Sequence, residues 1–275
     1  MQPAVQGGED KMYNLFVLQW GRDFADNYNY GAQIELLGNR FISYVQPLMP
    51  PGATIKKWFS TVSSNNPKNS PMLPLLKNGQ DYNFHLHLDA IGSSSWQVKI
   101  ECSDRFGRSL ASYYFNDLNG QFHYPSNAVS YTLELVNIKE EDFLFKYLVL
   151  MDAALDVIWD VEIDESLSMV HLTKRDSYTQ DNYEVTVQRG KRNTFSLHID
   201  EEADRNYSYV IDRMVKNYPK DLSQKIHERL KEQEVKNLKV KHGGNFFLIA
   251  DYYQKIPQEL VGLALEDGIN AVEHP

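Results

Sequence analysis

Residues 84–89 read FHLHLD, residues 98–103 read VKIECS, and residues 129–135 read VSYTLEL. Each run alternates with a period of two. Phe84, Leu86 and Leu88 alternate with His85, His87 and Asp89. Val98, Ile100 and Cys102 alternate with Lys99, Glu101 and Ser103. Val129, Tyr131, Leu133 and Leu135 alternate with Ser130, Thr132 and Glu134. Successive side chains of a strand point to opposite faces, so one set of each run enters a sheet core and the other faces solvent. Turn chemistry punctuates the runs. Pro51-Gly52 suits the central positions of a type II turn, where proline presets φ and glycine accepts a positive φ. Asp104-Arg105-Phe106-Gly107 has the form of a hairpin loop, and Asn65–Pro74, with three prolines, reads as a long loop. No long helical pattern appears before about residue 140. Strands at this spacing predict an antiparallel β-sandwich.

Charged residues become denser beyond about residue 155, and of the four tryptophans only Trp159 lies there. This shift places a boundary near Asp152–Asp156. The expected organisation is a flexible N-terminus over 1–12, a sandwich over 13–152 and a charged, mixed α+β region over 153–275. In the last region Ile158–Ile163, Met169–Thr173, Tyr183–Gln188 and Thr194–Ile199 read as short strands. Tyr207, Val210, Ile211 and Met214 fall at i, i+3, i+4 and i+7, which predicts a helix over Asp204–Asn217. A second helix is expected from about Pro219 to Lys236, with Leu222, Ile226 and Leu230 as its apolar stripe. Phe246–Tyr253 reads as a buried strand or a short helix, and Pro257–Glu266 as a last helix.

The bulk numbers narrow the function classes. The chain has 275 residues, 42% of them hydrophobic and 24% charged, which is globular composition. A net charge of -9 argues against nucleic acid or anionic lipid held by the overall field. Cys102 is the single cysteine, so no intramolecular disulfide forms and a reducing compartment fits. The first residues lack the basic and apolar regions of a signal peptide, and no apolar run approaches the ~20 residues of a spanning helix. A cytoplasmic protein is expected, reaching the inner face of the membrane only through partners.

Catalytic signatures are missing from the sequence. There is no G-x-S-x-G elbow, no phosphate-binding loop, and no pair of carboxylates singled out for glycoside hydrolysis. His85 and His87 share a strand face, but no third ligand stands at a diagnostic spacing, so they read as solvent-facing histidines. No enzyme activity, metal or cofactor is expected. Aromatic residues, 12% of the chain, carry more information. An aromatic plate beside amide or hydroxyl groups suits a sugar, and exposed Trp or Tyr can anchor a protein partner. Tyr28, Tyr30, Trp58, Trp96, Tyr113 and Tyr114 are the candidates for carbohydrate or partner binding. The same residues could simply fill a sandwich core, which is the commoner role for any one of them.

Several pieces of the first region are distinctive together: Trp20-Gly21-Arg22, Tyr28 to Gly31, Pro47 to Gly52, Ile55 to Ser60 and Pro71 to Tyr82. They resemble the third accessory secretory protein of the accessory Sec system of Gram-positive bacteria, over about residues 13–152. That system exports glycosylated serine-rich-repeat adhesins. The resemblance implies a β-sandwich similar to a carbohydrate-binding module and without catalytic residues. It implies, as partners, the first and second accessory secretory proteins, an accessory SecA-type ATPase and the adhesin, whose N-acetylglucosamine-containing glycans are a further candidate ligand. The expected function is a non-catalytic adaptor in protein translocation. The alternatives are a free-standing carbohydrate-binding module and, behind it, a carbohydrate-active enzyme.

Overall fold

The computed structural model describes residues 12–21, 31–37, 40–61, 71–90, 95–139, 142–164, 168–175, 181–190, 194–200, 206–212 and 221–274. The first ten strands are β1 (Met12–Leu18), β2 (Gln33–Leu36), β3 (Ile42–Val45), β4 (Thr54–Phe59), β5 (Gln80–Ala90), β6 (Ser95–Ser103), β7 (Ser109–Phe115), β8 (Asn119–Tyr124), β9 (Ser130–Lys139) and β10 (Asp142–Asp152). A short helix α1 (Ala153–Ile158) leads into β11 (Trp159–Ile163), β12 (Met169–Lys174), β13 (Asn182–Arg189), β14 (Thr194–Asp200) and β15 (Asn206–Asp212). Then come α2 (Leu222–Glu232), β16 (Asn237–His242), a 3-10 turn at Phe246–Leu248, α3 (Asp251–Glu266) and β17 (Asn270–His274).

Two antiparallel sheets form the sandwich. One has the order β4-β9-β6-β7. The other holds seven strands, with β14-β1-β10-β3-β2 as its main path and β5 pairing both β10 and β8. The alternating runs do what their period demands. Phe84 and Leu86 of β5, Val98, Ile100 and Cys102 of β6, and Tyr131, Leu133 and Leu135 of β9 all enter one core between the two sheets. Trp20 and Trp58 lie at its centre, both at 0% exposure, with ring centroids 5.8 Å apart in an edge-to-face pair. Lys56, also at 0% exposure, carries its ammonium 5.6 Å from the Trp20 ring and 5.9 Å from the Trp58 ring.

The turns follow their chemistry. Gly52 has φ +82° and the Ala53 amide donates to the Pro50 carbonyl at 3.2 Å, as a type II turn over 50–53 requires. Asp104 accepts from the Phe106 and Arg108 amides at 2.8 and 3.0 Å, and so closes the β6–β7 hairpin. Gly120 of β8 lies opposite Phe84, and a Cβ there would fall 2.5 Å from Phe115 Cδ1 and 2.7 Å from Phe84 Cε1. Gly120→Ala therefore forces apart two rings packed edge to face at 4.9 Å. A loss of ~1–3 kcal/mol is expected, as overpacking usually brings, measured by urea unfolding against the parent chain.

The second region adds two more layers. Its sheet runs β11-β12-β15-β13-β16-β17. The β11, β12 and β15 neighbours are antiparallel, whereas β13 pairs in parallel with β15 and β16, and β16 with β17. Parallel neighbours need crossovers: β14 lies in the one from β13 to β15, α2 follows β15 on the way to β16, and α3 joins β16 to β17. The helices cover one face of this sheet through Leu222, Ile226, Leu230, Tyr253, Ile256 and Leu260. The other face packs on the seven-stranded sheet, where Leu15, Val17, Val149 and Met151 meet Val170, Leu172, Tyr207 and Tyr209. The seven-stranded sheet is thus buried on both faces along β1 and the end of β10. The chain also crosses back: after β13 it lays β14 against β1 in a register of seven pairs, from Met12↔Asp200 to Thr194↔Leu18, before returning as β15.

Some sequence expectations are corrected here. Asp204–Asn217 does not form the expected helix; Asn206–Asp212 is strand β15, buried at every position. A strand covered on both faces has no polar alternation to show, and Tyr-Ser-Tyr-Val-Ile matches helical spacing by coincidence. Phe246–Tyr253 is a 3-10 turn followed by the start of α3, not a strand. Pro257 lies inside α3, whose first residue is Asp251, and does not open it. The four short strands appear as β11 to β14, and the helix expected near 219–236 appears as α2. Residues 1–11 and much of the loop expected over 65–74 lie outside the described residues. Among the described residues, no helix is long and apolar enough to cross a membrane.

Candidate functional site

The four aromatic candidates among the described residues form no common plate. Tyr28 and Tyr30 lie outside the described residues. Trp58 is 0% and Trp96 8% exposed, so both are core side chains and present no plate to a ligand. Trp96 packs edge-on against Phe143 at 5.2 Å, and the Trp58 indole donates to the Gln19 carbonyl at 3.3 Å. The pair on β7 splits between faces. Tyr113 turns inward onto Phe115 and Phe122 and donates its hydroxyl to the His123 carbonyl at 2.7 Å. Tyr114, 60% exposed, points outward opposite Lys99, on a face where Lys57 and Lys99 flank Glu134. Those ammonium groups and the Thr54 hydroxyl hold the Glu134 carboxyl below its ordinary value against the opposing effect of burial, which is the largest single influence.

The histidines lie on the outer face of β5 as expected, His87 exposed and His85 partly so. His85 and His87 stand on the face of β5 that turns toward β11, because Phe84 and Leu86 occupy the core side. His85 Nδ1 is 2.9 Å from Asn119 Oδ1 and its Nε2 is 3.2 Å from Asp156 Oδ2. The Asn83 amide donates to the same Asp156 oxygen at 2.7 Å. His87 lies opposite Tyr147 in the β5–β10 register and stacks on it, with centroids 4.3 Å apart and planes 29° from parallel. Burial first, then the neighbouring His85 and the Lys146 ammonium, push the His87 pKa down to about 4, so its imidazole is neutral at pH 7. A cleft of about 230 Å³ opens between this face and α1 and β11. A second of about 380 Å³ adjoins it, with His87, Tyr147 and Ile163 shared by both. Among the described residues, no group of three or more His, Cys, Asp or Glu side chains could hold a metal ion.

A second polar cluster escaped the sequence reading. His171 of β12 and Tyr183 of β13 both bond to Ser208 of β15, the tyrosine hydroxyl at 2.6 Å. A serine beside an imidazole has the residue types of a nucleophile and its base. Ser208, however, has 0% exposure, Tyr183 2% and His171 6%. Burial first and the Arg229 charge second lower the His171 pKa to about 4, against a small opposing effect of Glu162. No substrate reaches such a hydroxyl without separating α2 from the sheet. Cys102 is inert for a related reason: burial, then the Glu101 charge, raises its thiol to about 11. That agrees with its expected place as a small core residue.

The class of protein is defined by the fold: an antiparallel β-sandwich backed by an α/β layer. Residues 27–152, which span β2 to β10, match the family model described as Accessory Sec secretory system ASP3. The resemblance carried by the proline and tryptophan motifs therefore holds. The protein of that designation from Staphylococcus aureus is 25% identical over 137 residues, which are 50% of this chain and 43% of the relative. Its counterpart from Streptococcus gordonii is 29% identical over 127 residues, covering 46% of this chain and 79% of the relative. The chain thus spans less than half the length of the staphylococcal protein. A solved chain of the Glycosylation Associate Protein (Gap123) complex from Streptococcus agalactiae shares the fold with a TM-score of 0.51 and 19% identity, over 94% of this chain and 78% of that one. The second region is therefore part of the shared fold.

Proposed function

We propose that this protein is a non-catalytic adaptor subunit of an accessory Sec export complex, assembling with the first and second accessory secretory proteins. The family match over residues 27–152 carries the reading. The fold shared with a chain of a solved complex supports it, because the likeness extends through the α/β layer. Recognition without bond breaking fits the sealed Ser208 and the deactivated Cys102 thiol. In this reading the adaptor works in the cytoplasm, reaches the inner membrane face through its partners, and hands the serine-rich adhesin to the accessory SecA-type ATPase. A free-standing sugar-binding module is disfavoured, since Trp58 and Trp96, two of its proposed plate residues, are core residues. The test is co-expression of the tagged full chain with the first and second accessory secretory proteins. All three are expected to copurify in fixed ratio through a second column. Recovery of the tagged chain alone would remove the adaptor reading.

A further inference from the structure

We propose that the free edge of strand β7 is a self-association surface, on which a second copy of this chain pairs antiparallel about a twofold axis at Ser112. The proposal goes beyond the adaptor reading and concerns the chain on its own.

Strand β7 closes one side of the four-stranded sheet, and among the described residues it pairs with β6 alone. The amide and carbonyl groups along its other side form a template for one more strand. Sheets usually guard such an edge with charged residues, proline, a break in the strand or short length. The other edges of this protein carry such guards in their sequences: Glu35 in β2, Lys57 in β4, Glu162 in β11, Asp200 in β14 and Glu273 in β17, while Gly120 interrupts β8. Strand β7 reads SLASYYF, with no charged residue, glycine or proline. Nor is it short, since at about 3.4 Å per residue it runs roughly 24 Å.

The pattern along the strand names the occupant. When two copies pair about an axis at Ser112, each residue before Ser112 faces the residue equally far beyond it in the other copy. Leu110, 40% exposed, then meets Tyr114, 60% exposed, on both sides of the axis. Aromatic and aliphatic side chains facing each other across strands stabilise a sheet. On the other face of the strand the small Ser109 and Ala111 come opposite the large Phe115 and Tyr113, so bulky side chains do not collide. Charge selects the same arrangement. Arg105 and Arg108 stand exposed just before the strand, and Asp117 stands exposed just after it. Antiparallel self-pairing brings the cationic end of each copy to the anionic end of the other, whereas parallel pairing sets like against like. Arg108 is bonded to Asp104 of its own hairpin at 2.9 Å, so the contact with Asp117 falls to Arg105, whose guanidinium lies 4.7 Å from the Phe106 ring. An interface one strand wide falls below the roughly 1,200–2,000 Å² of stable complexes, so the dimer is weak and reversible.

Sedimentation equilibrium of the purified full chain, run alone from micromolar to millimolar concentration, tests this. The weight-average mass is expected to rise from 31.9 kDa toward twice that value. Ser112→Lys and Ser112→Glu each set like charges against one another on the axis and should weaken self-association by roughly tenfold or more. An equimolar mixture of the two variants should recover a dimer, because the lysine of one copy then meets the glutamate of the other. Tyr114→Ala, which trims an exposed side chain, should also weaken association while leaving the urea midpoint nearly unchanged. A mass that stays at 31.9 kDa at every concentration, or a dimer indifferent to both Ser112 variants, would overturn the proposal. A monomer that gains mass only with the first and second accessory secretory proteins, and loses that gain on Ser112→Lys, would also overturn it. That outcome gives the edge to those proteins and leaves the adaptor reading standing. Self-association without copurification defeats the adaptor reading alone.

Discussion

Replacing Trp58 with alanine is expected to lower the unfolding free energy by about 3–5 kcal/mol, the usual range for deleting a buried large aromatic. The indole has 0% exposure and touches Trp20 and Phe145, each with ring centroids 5.8 Å away. Its loss leaves a cavity among rigid rings that cannot collapse into it. It also strips the Gln19 carbonyl of a donor and leaves the buried Lys56 ammonium over one indole instead of two. A domain stability of about 5–15 kcal/mol makes this a large fraction of the total. Urea denaturation followed by circular dichroism measures it. A change under 1 kcal/mol would mean that Trp58 is not at the centre of the core.

Acidification supplies the second large effect, through His171. The imidazole of an unfolded chain titrates near 6.5, whereas burial and the Arg229 charge hold the folded group down to about 4. Between these values the unfolded chain takes up a proton that the folded one refuses. The contribution of a neutral His171 is therefore complete above pH 6.5 and lost as pH falls toward 4. At 1.36 kcal/mol per pKa unit, the loss across the window is about 3 kcal/mol. His87, also lowered to about 4, acts in the same direction, though its exposure to solvent weakens the effect. Unfolding at pH 7 and pH 4.5 should show the decline in the parent chain. His171→Gln, which keeps an acceptor for the Ser208 hydroxyl but does not titrate, should flatten it. An unchanged pH slope in that variant would show that other groups carry the effect.

The sandwich was legible because β5, β6 and β9 each bury one face and wet the other, so their period-2 pattern survives in the sequence. Strand β15, buried at every position, was not. Strand β15 is covered by the seven-stranded sheet on one side and by the α2–α3 layer on the other, so its apolar run lost the alternation that marks a strand. The pairing of β14 with β1 joins residues 176 to 188 positions apart, and no local signal encodes that partnership. The last helix was expected from Pro257, whereas α3 begins at Asp251 and carries that proline in its interior.

The site was less legible for a connected reason. Choosing aromatics by type selected Trp58 and Trp96, whose size places them in the core, and Tyr113, which turns inward. The His85-Leu86-His87 run was noticed, and one face of it does leave the sandwich core. What covers that face is α1 and β11, and face-to-face packing of two sheets is tertiary information that alternation does not carry. The Ser208 cluster was hidden in the same way, since its three residues come from β12, β13 and β15.

The central claim is that the accessible chemistry of this chain serves association. Sedimentation velocity on the purified full chain, mixed at micromolar concentration with the purified first and second accessory secretory proteins, addresses it most directly. A single faster boundary containing all three components is predicted, unchanged when Ser208 is replaced by alanine. Three independent boundaries at their separate rates would contradict the account.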